Sequence, residues 1–188
     1  MEKSRQSYLK KKEKVDEKDS LMQLVGFKIG KEHFGLNILM VQEIIRTVPI
    51  TTVPNAPDFI EGVINLRGGI IPVVDLRKRL KLRLNKVDPA QSTRILIVNV
   101  ESVVTGYVVD SVTRVMKIQT SSIEPPPDIV LAGLKSKYIT GVCEIDNQLL
   151  ILLDFAHILF AKELEAIEAM GGVSDDEADH DMEATLHA

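Results

Sequence analysis

The chain has 188 residues, of which 45% are hydrophobic and only 4% aromatic, with no Trp, so aliphatic side chains must fill any core. That length suits one domain or two small ones. One Cys excludes an internal disulfide, no apolar run approaches the length that crosses a membrane, and the formal net charge is −4.

The charge is unevenly placed. Residues 1–19 hold seven Lys/Arg and five Asp/Glu and are almost without hydrophobes. They read as a charged, disordered extension with no apolar segment that would serve as a secretory signal. Residues 163–188 hold nine Asp/Glu and no Lys/Arg, so the acidity belongs to the tail rather than to the folded body. The lone Cys, the lack of a membrane-length apolar run and the lack of a secretory segment fit an expected cytoplasmic location. Deleting 1–19 and 171–188 should leave the melting temperature nearly unchanged, because neither segment has much apolar surface to bury. A drop of more than a few degrees in a thermal melt would show that one of them packs on the body.

In between, the elements are mostly strands. Leu24 to Ile29 is predicted as a strand, Gly30-Lys31-Glu32 as a turn and His33 to Asn37 as the return strand. Ile38 to Gln42 has apolar residues at helical spacing for about one turn, and Glu43 to Val48 is a strand ended by Pro49. Turn chemistry over Val53-Pro54-Asn55-Ala56-Pro57-Asp58-Phe59 leads into the run GVINLRGGIIPVVDLRKRL, Gly62 to Leu80. There Val63 to Arg67 and Ile70 to Val74 are strands joined at Gly68-Gly69. Pro72 cannot donate to a ladder, which places its strand at an edge or at a bulge. Asp75 is positioned to cap a short helix over 76–80. Lys81 to Gln91 is a polar connector, followed by strands at Ile95 to Val100, Val103 to Val109 and Arg114 to Ile118. Ile123 to Pro127 is predicted as an exposed rigid loop. A second hairpin, Tyr138 to Glu144 and Leu149 to Leu153, precedes the one long helix, Phe155 to Met170, which Gly171-Gly172 ends. About ten short strands argue for barrels or a sandwich.

The chain repeats itself. At a shift of 79, Gly62 to Leu80 falls on Gly141 to Leu159, aligning Gly62, Val63, Asp75 and Leu80 with Gly141, Val142, Asp154 and Leu159. At a shift of 71, Gly35, Ile38, Val41 and Ile44 fall on Gly106, Val109, Val112 and Val115. One unit of roughly 70 residues is used twice. Arg67 falls on Asp146, so the hairpin scaffold repeats while the arginine does not.

No constellation for catalysis is apparent. Cys143 lies among apolar neighbours in a strand, and His33 and His157 lack partners at metal-ligand spacing. Asp75 and Asp154 occupy the same place in their repeats, as two equivalent caps would, rather than an acid–base pair. The basic run Arg77, Lys78, Arg79, Lys81, Arg83, Lys86 lacks interleaved aromatics and reads as a solvated face. No cofactor and no metal are expected.

The segment VINLRGGIIPVVDLR closely resembles the signature of the CheW-like family of chemotaxis coupling domains, which the CheA kinase shares. FGLNILMVQEI at Phe34–Ile44, VPNAPDFIEGVINLRG at Val53–Gly68, GYVVDSV at Gly106–Val112 and YITGV at Tyr138–Val142 extend the resemblance over about Leu24 to Leu159. It implies an all-β fold of two pseudo-repeated five-stranded barrels, OB- or SH3-like, with strands exchanged between halves and a C-terminal helix. With the repeat, it divides the chain into a first barrel over 20–86 and a second over 87–162. It further implies a non-catalytic adaptor that joins chemoreceptors to CheA at membrane-associated arrays. A receptor helix would lie in a groove lined by Val41, Ile44, Val112 and Val115, with Glu43, Arg67, Gly68 and Gly106 beside it. An Arg67–Glu43 ion pair is expected at the groove edge. The family often carries a cation and an aromatic where its proline turn touches the kinase; the corresponding places here are Glu124 and Ile129. The competing class is an OB-fold that binds nucleic acid, which would need stacked aromatics in a basic groove.

Overall fold

The structure, a computed structural model, describes residues 20–82, 93–133 and 136–158. The two charged ends and the part of the expected helix beyond Ile158 lie outside the described residues. Ten strands run in chain order: β1 (Leu21–Ile29), β2 (Glu32–Asn37), β3 (Val41–Arg46), β4 (Ile60–Leu66), β5 (Gly69–Asp75), β6 (Arg94–Val100), β7 (Val103–Val109), β8 (Ser111–Gln119), β9 (Ile139–Ile145) and β10 (Gln148–Leu153). Among the described residues the short helices are α1 (Leu76–Arg79), α2 (Asp128–Gly133) and α3 (Phe155–Ile158). A 3-10 turn at Ile38–Met40 replaces the single turn expected there. Helix α2 had not been anticipated; it follows the proline run, and Pro127 O accepts the first bonds from Val130 N and Leu131 N.

The strands form two five-stranded sheets. Sheet 1 has the order β8-β1-β2-β10-β9 and sheet 2 the order β3-β6-β7-β5-β4. The two orders are the same arrangement with the repeats interchanged. Each sheet takes the first two strands of one repeat and the last three of the other. Sheet membership therefore does not follow a division at residues 86 and 87: sheet 2 runs within 41–109, and sheet 1 joins 21–37 to 111–153. The physical reason is connection length. A hairpin needs two residues, whereas parallel neighbours need a long crossover. The parallel pairs β2–β10 and β5–β7 each join strands of different repeats.

Each sheet curls until its edges meet. The chain leaving β3 returns to bond β4, through Thr51 N to Val63 O at 2.9 Å and Val63 N to Thr51 O at 2.8 Å. The equivalent closure joins Glu124 to Val142 with bonds of 2.8 and 2.9 Å, so the proline segment serves as a sheet-closing strap. Glycine is required at the seam. A Cβ on Gly62, at φ 142°, would lie 2.0 Å from Thr51 O, and one on Gly141 would lie 2.5 Å from Ile123 Cγ2. That accounts for the repeated Gly-Val pair.

Both hairpins turn on two residues with positive φ. In the first these are Arg67 at 55° and Gly68 at 87°, in the second Asp146 at 52° and Asn147 at 59°. The corner thus sits one residue earlier than the Gly68-Gly69 link expected from composition, because Leu66 pairs with Gly69. Asn65 Oδ1 accepts from Gly68 N at 3.1 Å and supports the corner. Two positive φ values suit the right-handed strand twist. Pro72 does not lie on an edge strand, since β5 runs between β7 and β4. The β7 ladder spans only Val73–Asp75, so Pro72 lies just outside it.

Each barrel has its own small core at repeat-equivalent positions. Ile64, Ile71 and Val73 fill one, and Cys143, Leu150 and Leu152 the other. A larger core lies between the sheets. At its centre Phe155 meets Tyr107 edge-on at 4.7 Å and Phe27 at 6.5 Å, and Phe27 stacks on Phe34 at 5.8 Å. Burial pushes the Tyr107 phenol well above its ordinary value of 10.0. Below that value folded and unfolded chains both hold the proton. Above it the unfolded chain ionises first, so stability falls as pH rises past about 10. Melts between about pH 9 and about pH 11 should show this slope in the native chain and a shallower one in Tyr107→Phe. Identical profiles would remove Tyr107 as the cause. Burial likewise raises the Cys143 thiol, consistent with a packing residue.

Candidate functional site

The four residues expected to line a groove, Val41, Ile44, Val112 and Val115, are two repeat-equivalent pairs on the two outer strands β3 and β8. Val41 and Val112 are half-buried against the inter-sheet core, while Ile44 and Val115 are exposed. Of each pair, one residue thus packs inward and the other faces solvent.

At the end of sheet 2 the corner residue Arg67 donates from Nη2 to Glu43 Oε2 at 3.0 Å. The turn pins the arginine backbone, and β3 supplies the carboxylate from across the sheet. Arg67 is 80% exposed and Glu43 26%, so most of the guanidinium faces solvent. The expected ion pair is present. Gly68 shares the corner. Gly106 does not reach any surface; it is buried in β7, where a Cβ would lie 2.9 Å from Ile95 Cγ2 and 3.5 Å from Pro72 O. Its absent side chain permits close packing, so it is a correction to the expected site. Glu124 is exposed at the seam it closes, and Ile129 projects from α2 at 82% exposure.

Sequence reasoning missed three arrangements. The first is a second ion pair, Arg114 Nη2 with Asp146 Oδ2, at the other hairpin corner. Its signal was present: Glu43 shifted by 71 is Arg114, and Arg67 shifted by 79 is Asp146. The pairing repeats with its charges exchanged. The second centres on Asp110, which pairs with Arg77 and accepts from Gly30 N at 2.6 Å, tying α1 to the β1–β2 turn. The third is Arg79. Its Nε donates to Ile158 O at 2.6 Å, and its guanidinium lies 4.3 Å from the Phe59 ring centroid and 5.5 Å from that of Tyr138. Part of the basic run is therefore structural rather than solvated.

The two aspartate caps are equivalent, as expected. Asp75 Oδ1 accepts from Arg77 N and Lys78 N, and Asp154 Oδ1 from Ala156 N and His157 N. His157 Nδ1 also contacts Asp154 Oδ2 at 2.8 Å. Among the described residues no group of three His, Cys, Asp or Glu is placed to hold a metal ion. None of the described helices is long and apolar enough to cross a membrane. Phe27, Phe34, Tyr107, Tyr138 and Phe155 are all buried, and Arg79 covers Phe59, so these rings form no stacking platform for bases.

Residues 23–163 match the CheW-like domain family. The chain is 36% identical over 142 residues to the chemotaxis protein CheW of Klebsiella aerogenes, covering 76% of this chain and 84% of that one. It is 33% identical over 151 residues to the chemotaxis protein CheW of Treponema pallidum, covering 79% and 88%. Among solved structures it is similar to the scaffolding protein TtCheW from Thermoanaerobacter tengcongensis. The sequence identity is 34%, the TM-score is 0.69, and the match covers 77% of this chain and 91% of that one.

Proposed function

Since this chain belongs to the CheW-like domain family, we propose that it is a non-catalytic adaptor coupling chemoreceptors to the CheA kinase. It works in the cytoplasm, at membrane-associated receptor arrays. The observation that carries the reading is the Arg67–Glu43 pair, held on a strained corner with most of its cation facing water. A bare surface arginine needs no such fixing. A partner that buries it benefits from a guanidinium already oriented.

The receptor presents an amphipathic helical tip. Ile44 and Val115 on the outer strands offer exposed apolar contacts, and Val41 and Val112 on the same strands pack against the core, as helix-in-groove binding uses. Arg67 and Gly68 form the polar rim. Gly106 acts only through the packing of β7. The CheA regulatory domain takes the other surface, at Glu124 and Ile129. Glu124 reverses the sign of the cation common in the family, so this contact needs a basic partner residue on the kinase. The test is a pull-down of the full chain with CheA and, separately, with a receptor cytoplasmic fragment. Retention of both is expected. Binding to neither would overturn the adaptor reading.

A further inference from the structure

The chain crosses between the two barrels at repeat-equivalent places, and the two crossovers are built differently. The first runs from β2 to β3 through the 3-10 turn Ile38–Met40. The second runs from β7 to β8 through one residue, Asp110. Leu39 shifted by 71 is Asp110, so the two residues hold the same place. Leu39 is almost fully exposed. Asp110 is held from both barrels. Its N donates to Lys28 O at 3.0 Å and its Oδ2 accepts from Gly30 N at 2.6 Å, both at the β1–β2 turn of sheet 1. Its Oδ1 accepts from Arg77 Nη2, on the helix α1 that follows β5 of sheet 2. Both side chains are mostly buried, Arg77 at 12% exposure and Asp110 at 20%, so salt screens this pair less than those at the hairpin corners. The first crossover lacks this chemistry, because the counterparts of Asp110 and Arg77 are Leu39 and Ala156.

We propose that the Arg77–Asp110 pair is a latch that fixes the angle between the barrels, which makes both residues positioning residues for the receptor groove. Arg79 lies on the pseudo-two-fold axis: it donates to Ile158 O, and Ile158 is its own counterpart at the shift of 79. Its guanidinium is close to both Phe59 and Tyr138, another pair of counterparts. A contact on the axis leaves the barrels free to turn about it. The apolar core between the sheets resists their separation, but burial has no direction. The latch joins residues that are not counterparts, so it lies off the axis, and a charge-assisted hydrogen bond is directional. It therefore removes the turn that the other contacts permit. Asp110 leads straight into β8, with Val112 two residues on, while Val41 and Ile44 belong to sheet 2. A turn between the barrels moves these two sides of the groove against each other. The positioning role rests on the adaptor reading above, in which the receptor helix needs both sides at once. The kinase surface needs only the seam of sheet 1, at Glu124, and α2, at Ile129.

Arg77→Ala with Asp110→Leu gives the second crossover the residue types of the first, which the fold already accommodates there. It removes both charges, so none is left buried and unpaired. Nitroxides at Arg46→Cys on β3 and Glu144→Cys on β9, both exposed positions, report the distance between the barrels in the free full chain by pulsed electron–electron double resonance, with buried Cys143 left in place. A narrow distance distribution is expected with the latch and a broader one without it. Apparent affinity falls with the fraction of molecules at the competent angle. The double variant should therefore bind a receptor cytoplasmic fragment about fivefold or more weakly, with CheA binding little changed. Arg77→Lys, which keeps a cation without the planar fork, should fall between the two in both readouts, and it decides the matter if the double variant does not fold. Equal distance distributions with and without the latch would overturn the proposal. Unchanged receptor binding would overturn the positioning role, as would receptor and CheA binding that fall together, the mark of a general loss of stability. If the native chain binds no receptor fragment the adaptor reading fails, while the distance measurement still decides the latch.

Discussion

Phe155→Ala is expected to cost about 3–5 kcal/mol of stability, the range for emptying a fully buried aromatic site. Phe155 is 1% exposed and packs against Tyr107 at 4.7 Å and Phe27 at 6.5 Å. Those neighbours belong to different sheets, Tyr107 to sheet 2 and Phe27 to sheet 1. The cavity therefore opens between the barrels, where neither can collapse into it without moving the other. Because each sheet takes strands from both repeats, the barrels cannot come apart while both stay folded. One cooperative transition should persist, with its midpoint lowered by about 10 °C or more. Calorimetry or urea titration followed by two probes decides the matter. A melt that splits into two steps, one of them at the native temperature, would show that the barrels unfold independently.

Arg67→Ala should leave the fold nearly intact and weaken receptor binding. The guanidinium is mostly in water and its partner keeps access to solvent, so the pair contributes only about 0–1 kcal/mol to folding. Truncating an interface arginine costs about 2 kcal/mol or more, a loss of about thirtyfold in affinity. CheA binding should be largely retained, because Glu124 and Ile129 lie on other elements, the sheet seam and α2. Arg67→Lys should recover only part of the loss, since an ammonium keeps the charge without the planar fork. The readouts are a thermal melt and separate binding assays for receptor fragment and kinase. Lost CheA binding with intact receptor binding would place Arg67 on the wrong surface.

The repeat, the hairpins and both aspartate caps were legible in the sequence by itself, whereas the Arg67–Glu43 pair was expected only from the family resemblance, which sets the arginine beside the groove. These features arise from local chemistry: turn residues, alternating apolar positions and a side-chain oxygen two or three residues before the amides it caps. The family motif added the fold class. The tertiary structure alone decided which strands share a sheet. β1–β2 and β6–β7 are equivalent hairpins with nearly the same pattern, so either pair could complete either sheet as far as alternation is concerned. Only the parallel pairings β2–β10 and β5–β7, and the core packed between the sheets, select the exchanged arrangement. Long-range partners were hidden for the same reason. Arg79 reaches Ile158, 79 residues along, and Arg77 reaches Asp110, 33 along, and nothing in their neighbourhoods distinguishes them from solvated cations. The Arg114–Asp146 pair lay between these extremes. Both of its residues follow from the repeat, but their contact requires β8 and the second hairpin to share sheet 1, and that is set by packing rather than by pattern.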